Sequence, residues 1–136
     1  MKPPGSGVPL VVDTSAWIRH RNAASRAYWE AAARDDLLVS CPVAALEILR
    51  ASANEKEFQV LDRTFGALPQ APVTDSVCKA ALSAARELGA RRRLPVADYL
   101  IAAAAAERGF GVLHADKHFD LLAEVLEFES VRLPTR

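Results

Sequence analysis

Short runs that are apolar at every position, Leu10-Val11-Val12, Leu37-Leu38-Val39 and Gly111-Val112-Leu113, alternate along this chain with longer stretches of helical periodicity. A strand with one wet face would alternate polar and apolar residues, so these runs belong to strands covered on both faces, and helices between them specify a parallel α/β sheet. The helical stretches are punctuated as helices should be. Residues 25–34 carry Tyr28, Trp29 and Ala32 on one face, Pro42 opens a helix running through Leu49, and Phe58, Leu61 and Phe65 pattern residues 55–68 before Pro69 stops them. Asp75 or Ser76 is placed to cap a helix ending at Gly89, and Pro95 to open an alanine-rich helix that Gly109 closes. Pro72-Val73 reads as a further small strand and residues 128–133 as the last one. One domain over residues 1–136 is expected, with residues 1–8 as a flexible N-terminal arm.

Composition narrows the function classes. A hydrophobic share of 51% with 25% charged residues is that of an ordinary globular chain, and 136 residues bury enough surface to fold without disulfides or a metal staple. Cys41 and Cys78 are far apart in apolar contexts, so both are expected to be reduced, packed thiols in a cytoplasmic protein. The start of the chain is too broken for a signal peptide, and the longest apolar stretch, residues 94–106, contains Asp98, so no membrane span is expected. The formal net charge is zero, and any phosphate-binding surface must therefore be local.

Of four notable carboxylates, three stand where such a fold binds ligands, beyond the carboxyl ends of the strands, and the fourth, Glu47, is placed to lean over the same edge. Asp13 follows the first strand directly, Asp116 follows Gly111-Val112-Leu113 closely and caps a short helix through about Leu122, and Asp98 falls in the first turns of its helix. Glu47 sits early in the helix after the second strand, among Val43, Ala44, Leu46, Ile48 and Leu49, where burial of an unpaired carboxylate would be costly; Arg50 is an available partner. Singly, Asp13 and Asp116 read equally well as N-caps and Asp98 as a helix-dipole partner. Together, they would repel one another unless a divalent cation neutralised them, and an all-oxygen site suits Mg2+ or Mn2+. Zinc is not expected, because His20, His114 and His118 lack paired ligand spacing; His114 and His118 are read as solvent-exposed or phosphate-contacting.

The segments Val11-Val12-Asp13-Thr14-Ser15, Cys41-Pro42-Val43 running into Glu47-Ile48-Leu49-Arg50, Val96-Ala97-Asp98 with Leu100-Ile101-Ala102-Ala103, and Leu113-His114-Ala115-Asp116 with Phe119-Asp120 resemble the successive motifs of PIN-domain ribonucleases. The resemblance is strongest to the VapC toxins of bacterial toxin–antitoxin systems and covers residues 10 to about 131. It implies a PIN-like three-layer α/β/α sandwich around a central parallel β-sheet, and metal-dependent endonucleolytic cleavage of a structured RNA, transfer or ribosomal. By that resemblance Asp13, Glu47, Asp98 and Asp116 are both the catalytic and the metal-holding residues, with Mg2+ or Mn2+ as cofactor. Thr14 and Ser15 would orient a carboxylate or a bound water, and Asp120 would support the ligands from behind. It also implies a small VapB-like antitoxin whose C-terminal segment covers the pocket, and a homodimer within a larger toxin–antitoxin assembly.

Arg19, Arg21, Arg91, Arg92 and Arg93 are the candidates to grip the RNA backbone, since the guanidinium fork matches phosphate oxygens; a solvated surface cluster is the plainer reading of the same residues. Trp17, Tyr28 and Trp29 could stack on bases, but their helical spacing favours packing. A phospho-aspartate phosphatase needs a second aspartate where this chain has Ser15, and a receiver domain needs a paired acidic site there. The alternative from another class is a PIN-like module that binds RNA or protein without cutting.

Overall fold

The computed structural model describes residues 5–19 and 22–134, the side chain of Arg19 excepted. In chain order the described elements are β1 (Leu10–Val12), α1 (Thr14–Arg19), α2 (Ala23–Arg34), β2 (Leu38–Val39), α3 (Pro42–Arg50), α4 (Glu55–Gly66), α5 (Asp75–Leu88), α6 (Val96–Arg108), β3 (Gly111–His114), α7 (His118–Leu122) and β4 (Glu129–Arg132). The strands form one sheet in the order β2-β1-β3-β4, every pair parallel, with Val11 opposite Val39 on one side and Val112 on the other.

The uniformly apolar strands separate their side chains by the period of two. Leu10 and Val12 join Leu38, Leu113 and Val131 on one face, where Ala16, Ala32, Trp17 and Trp29 of α1 and α2 cover them. Val11, Val39 and Val112 face the other way, onto α3, α5, α6 and α7. The result is an α/β/α sandwich with a core on each side of the sheet. Helix α6 lies against β1 and β3, and its alanines 102–105 are all buried, so small side chains bring its backbone close to the sheet.

Two helices end in the same device. After α6, Gly109 adopts φ 70°, Phe110 N–H reaches Ala105 O (3.0 Å) and Gly109 N–H reaches Ala106 O (3.2 Å). After α2, Asp36 takes φ 55°, with Leu37 N–H on Ala32 O (2.9 Å) and Asp36 N–H on Ala33 O (3.1 Å). Both are Schellman turns that deliver the chain into a strand. Gly111 is required for packing: a Cβ there would sit 2.8 Å from both Glu129 O and Leu10 Cδ2.

Some local expectations shift. The small strand is a single parallel bridge between Ser40 and Gln70, not a strand at Pro72-Val73; Ala71 N–H reaches Ser40 O and Ser40 N–H reaches Pro69 O, each 2.8 Å. Pro69 and Pro72 lack N–H groups and confine the ladder to that step. The α5 cap is Thr74, whose Oγ1 accepts from Val77 N–H (3.1 Å), rather than Asp75 or Ser76. Cys41 is buried, but Cys78 is exposed: the inward face of α5 is Val77, Ala81, Ala84 and Leu88, and Cys78 lies on the neighbouring stripe with exposed Leu82. Within the 1–8 segment, Ser6 donates its N–H to Glu129 Oε1 (2.8 Å) and its hydroxyl to Glu129 Oε2.

Candidate active site

The chain crosses from β2 over β1 to β3, so connections leave β1 and β3 in opposite directions along the sheet, opening a crevice beyond their carboxyl ends. Asp13 and Asp116 flank that crevice. Asp13 N–H donates to Leu113 O (3.0 Å), which fixes it beside β3, and its carbonyl accepts from Ala16 (3.0 Å) and Trp17 (3.2 Å) as α1 begins. Its Oδ2 accepts from the N–H (3.0 Å) and hydroxyl (2.5 Å) of Ser15. Ser15 Oγ also accepts from Ala115 N–H (2.9 Å), so one hydroxyl ties the two strand ends together. Asp116 repeats the turn, its Oδ1 accepting from His118 N–H at 3.0 Å. Capping and ligation are compatible, because each turn engages one carboxylate oxygen in this way.

Helix α6 brings Asp98 in its first turn to the same crevice, buried at 7% exposure, while Asp13 is 4% exposed. Burial is the first reason the Asp98 carboxyl is pushed up to about 6; the charges of Asp13 and Asp116 add to it, and the His118 hydrogen bond opposes it. Burial likewise raises Asp13, against the Ser15 bonds and with a smaller push from Glu47. These carboxylates therefore act within one electrostatic field, which a bound cation would relieve. The donor set fits a divalent ion for that reason.

His118 is absent from the sequence-derived site residues. Its Nδ1 lies 3.0 Å from Asp98 Oδ2 and 3.1 Å from Asp116 Oδ2, and one donor atom from each of the three residues can be chosen with all within 4.8 Å of one another. The local signal is Asp116-Lys117-His118: a carboxylate that accepts from the N–H two residues on folds both side chains toward one side.

Glu47 is exposed, contrary to the expectation from its apolar neighbours, because α3 buries Ala44 and leaves Leu46 67% exposed. Thr14 Oγ1 donates to Glu47 Oε1 (2.8 Å), and no ion pair joins Glu47 to Arg50 among the described residues. His114 is fully buried and contacts neither solvent nor ligand space. Asp116 N–H donates to its Nδ1 (3.1 Å), so the ring proton sits on Nε2 and points to Ser130 Oγ (2.7 Å); Ser130 donates onward to Asp120 Oδ1 (2.8 Å), and Arg132 holds Asp120 Oδ2 (2.7 Å). Burial first, then Arg132, lowers the His114 pKa to about 4. Asp120 thus touches no other carboxylate of the site; it is connected to Asp116 through Ser130 and His114.

Among the arginines, Arg92 pairs with Glu124 (3.4 Å), Arg93 Nε donates to Ala90 O (3.1 Å), and Arg91 is exposed on the same loop leading to α6. Arg21 lies outside the described residues, with the side chain of Arg19 and all of His20. Trp17 packs edge-on to Trp29 (centroids 4.9 Å) and Phe65 (4.7 Å), and Tyr28 is packed against the same core.

The PIN domain family model matches residues 10–125. The VapC ribonuclease Mb1587 of Mycobacterium bovis is 30% identical over 133 residues, covering 89% of this chain and 96% of that protein. Ribonuclease VapC51 of Mycobacterium tuberculosis is 36% identical over 119 residues, 85% of each. Similar solved structures include VapBC-5 from Mycobacterium tuberculosis (TM-score 0.67, 22% identity, 93% of this chain and 99% of that one) and DNA-bound VapBC from Salmonella typhimurium (TM-score 0.73, 16% identity, 92% and 98%). At those identities the structures speak for the fold, and the sequence relatives carry the finer assignment: this chain belongs to the PIN-domain family and, within it, to the VapC ribonucleases.

Proposed function

We propose that this protein is a divalent-metal-dependent endoribonuclease, the toxin of a VapBC-type pair, cutting a structured transfer or ribosomal RNA in the cytoplasm. The convergence of Asp13, Asp98 and Asp116 from three elements on one crevice, where burial first and the neighbouring charges second raise the Asp98 carboxyl to about 6, carries the reading. Such a cluster is unfavourable alone and suited to Mg2+ or Mn2+. Bound there, the ion would lower the pKa of a coordinated water and polarise the phosphate.

The chain's own residues set the geometry. Asp13, Asp98 and Asp116 would hold the ion, and Ser15 pins Asp13 by Oδ2 so that its carboxylate cannot rotate away. Glu47, steadied by Thr14 and open to solvent, would orient a water on the α3 side of the site. The exposed loop of Arg91, Arg92 and Arg93 gives the RNA backbone a cationic contact beside the helix that carries Asp98.

The partner is a VapB-like antitoxin. A groove lined by Trp17, Ile18, Ile48 and Leu61 runs up to Thr14 and Glu47, offering its C-terminal segment apolar seats next to the carboxylates. The apolar strip of Leu82, Val96, Tyr99 and Leu100 on α5 and α6 suits the homodimer contact. No described helix is long and apolar enough to cross a membrane.

The deciding assay is cleavage of labelled structured RNA by the purified protein with Mg2+ or Mn2+, with and without chelator. Cleavage should vanish on chelation and fall at least about 100-fold in Asp13→Asn. RNA binding without cleavage would assign the chain to the non-cutting class instead.

A further inference from the structure

We propose that His118 is itself a ligand of the metal centre, which makes the site a mixed nitrogen–oxygen one favouring Mn2+ and similar transition ions over Mg2+. This rests on the metal-dependent reading above and deepens it. The three donors are already spaced for coordination. Nδ1 of His118 stands 3.0 Å from Asp98 Oδ2 and 3.1 Å from Asp116 Oδ2. Adjacent ligands of an octahedral ion with bonds of about 2.1 Å are about 3.0 Å apart, a spacing that both His118–carboxylate distances match, and the Asp98 and Asp116 donors lie within 4.8 Å of each other.

The position is built by the backbone. His118 is the first residue of α7, its N–H is held by Asp116 Oδ1 (3.0 Å), and the next residue, Phe119, is fully buried and anchors the helix from below. The imidazole therefore presents Nδ1, the nitrogen nearer the main chain, to both carboxylates. With 28% of its side chain exposed, and 32% of that of Asp116, this side of the cluster is open to water and would be open to a phosphate oxygen. Imidazole is a good ligand for later first-row ions and a poor one for Mg2+, which selects oxygen.

The competing arrangement is a protonated His118 that fills the cation's place and leaves when the ion arrives. Pulsed EPR separates the two. The full-length protein is stripped with chelator, loaded with Mn2+, and examined for 14N modulation of the manganese echo, while calorimetry gives Mn2+ and Mg2+ affinities. We expect nitrogen modulation in the native protein. It should be lost in His118→Asp, which still binds Mn2+ through oxygen, and the Mn2+/Mg2+ affinity ratio should drop at least about tenfold. Mn2+ binding without nitrogen modulation, or modulation that persists in His118→Asp, overturns the ligand assignment and leaves an all-carboxylate site intact. Absence of Mn2+ binding by the native protein overturns the metal-dependent reading as well.

Discussion

Replacing Asp98 by asparagine should stabilise the metal-free protein while removing its function. The Asp98 carboxyl is raised from 3.8 to about 6, roughly two pKa units, each unit being about 1.4 kcal/mol of preference for the neutral form. At neutral pH the charged group therefore costs about 3 kcal/mol. The amide that replaces it carries no charge and keeps a carbonyl oxygen for His118; solvent reaching Asp116 and His118 at the rim screens part of the effect, leaving a gain of about 2 kcal/mol. In a chain of 136 residues this corresponds to roughly 8 °C in Tm. The pH dependence has a definite sign. Because the folded pKa lies above the unfolded one, Asp98 favours folding only in its protonated form, and that contribution is lost as pH rises through about 6. The advantage of Asp98→Asn is thus complete above about pH 7 and fades as pH falls toward about 4. Millimolar Mn2+ should reverse the ranking, since the native protein binds it more tightly and so gains more stability from it. Thermal unfolding in chelator at two pH values, then with metal, measures all three effects. If Asp98→Asn unfolds at or below the native temperature in chelator at neutral pH, the idea that burial and like charge in the crevice penalise the ionised Asp98 is wrong.

His114 should act in the opposite direction on acidification. Its folded pKa of about 4 lies below the ordinary 6.5, so native stability should fall by about 3 kcal/mol as pH drops between those values; urea unfolding of His114→Phe, less stable by about 2 kcal/mol at neutral pH through its lost bonds to Asp116 and Ser130, should lack that component. An unchanged acid slope in the variant would refute the buried neutral assignment. Gly111→Ala should cost about 2 kcal/mol in chemical denaturation because Glu129 O belongs to the paired strand and cannot yield, whereas Gly66→Ala, which meets nothing within 4 Å, should be neutral or slightly stabilising.

How far the site can be read from the chain depends on the range of the forces that build it. Asp13 and Asp116 are legible because their positions follow from local chemistry: an apolar strand ends, and a short carboxylate bends the next two residues into a turn that starts a helix. Asp98 is legible for a related reason, since Pro95 and the alanine run fix where its helix begins. The position of Glu47 is legible but its surroundings are not, because apolar neighbours in sequence do not show which side of a short helix meets the sheet; α3 rests on Ala44, not on Leu46. The histidines escape a sequence reading on the same ground. Buried His114 starts a hydrogen-bonded chain through Ser130 to exposed Asp120 that exists only once β4 pairs with β3, and His118 meets Asp98 only once α6 lies across the ends of β1 and β3. Local turn chemistry therefore places individual carboxylates, while parallel pairing between distant segments decides which of them share a field and which nitrogen stands among them. The residue whose role depends most on that long-range pairing, His118, is the one where this chain can set its own metal preference on a shared fold.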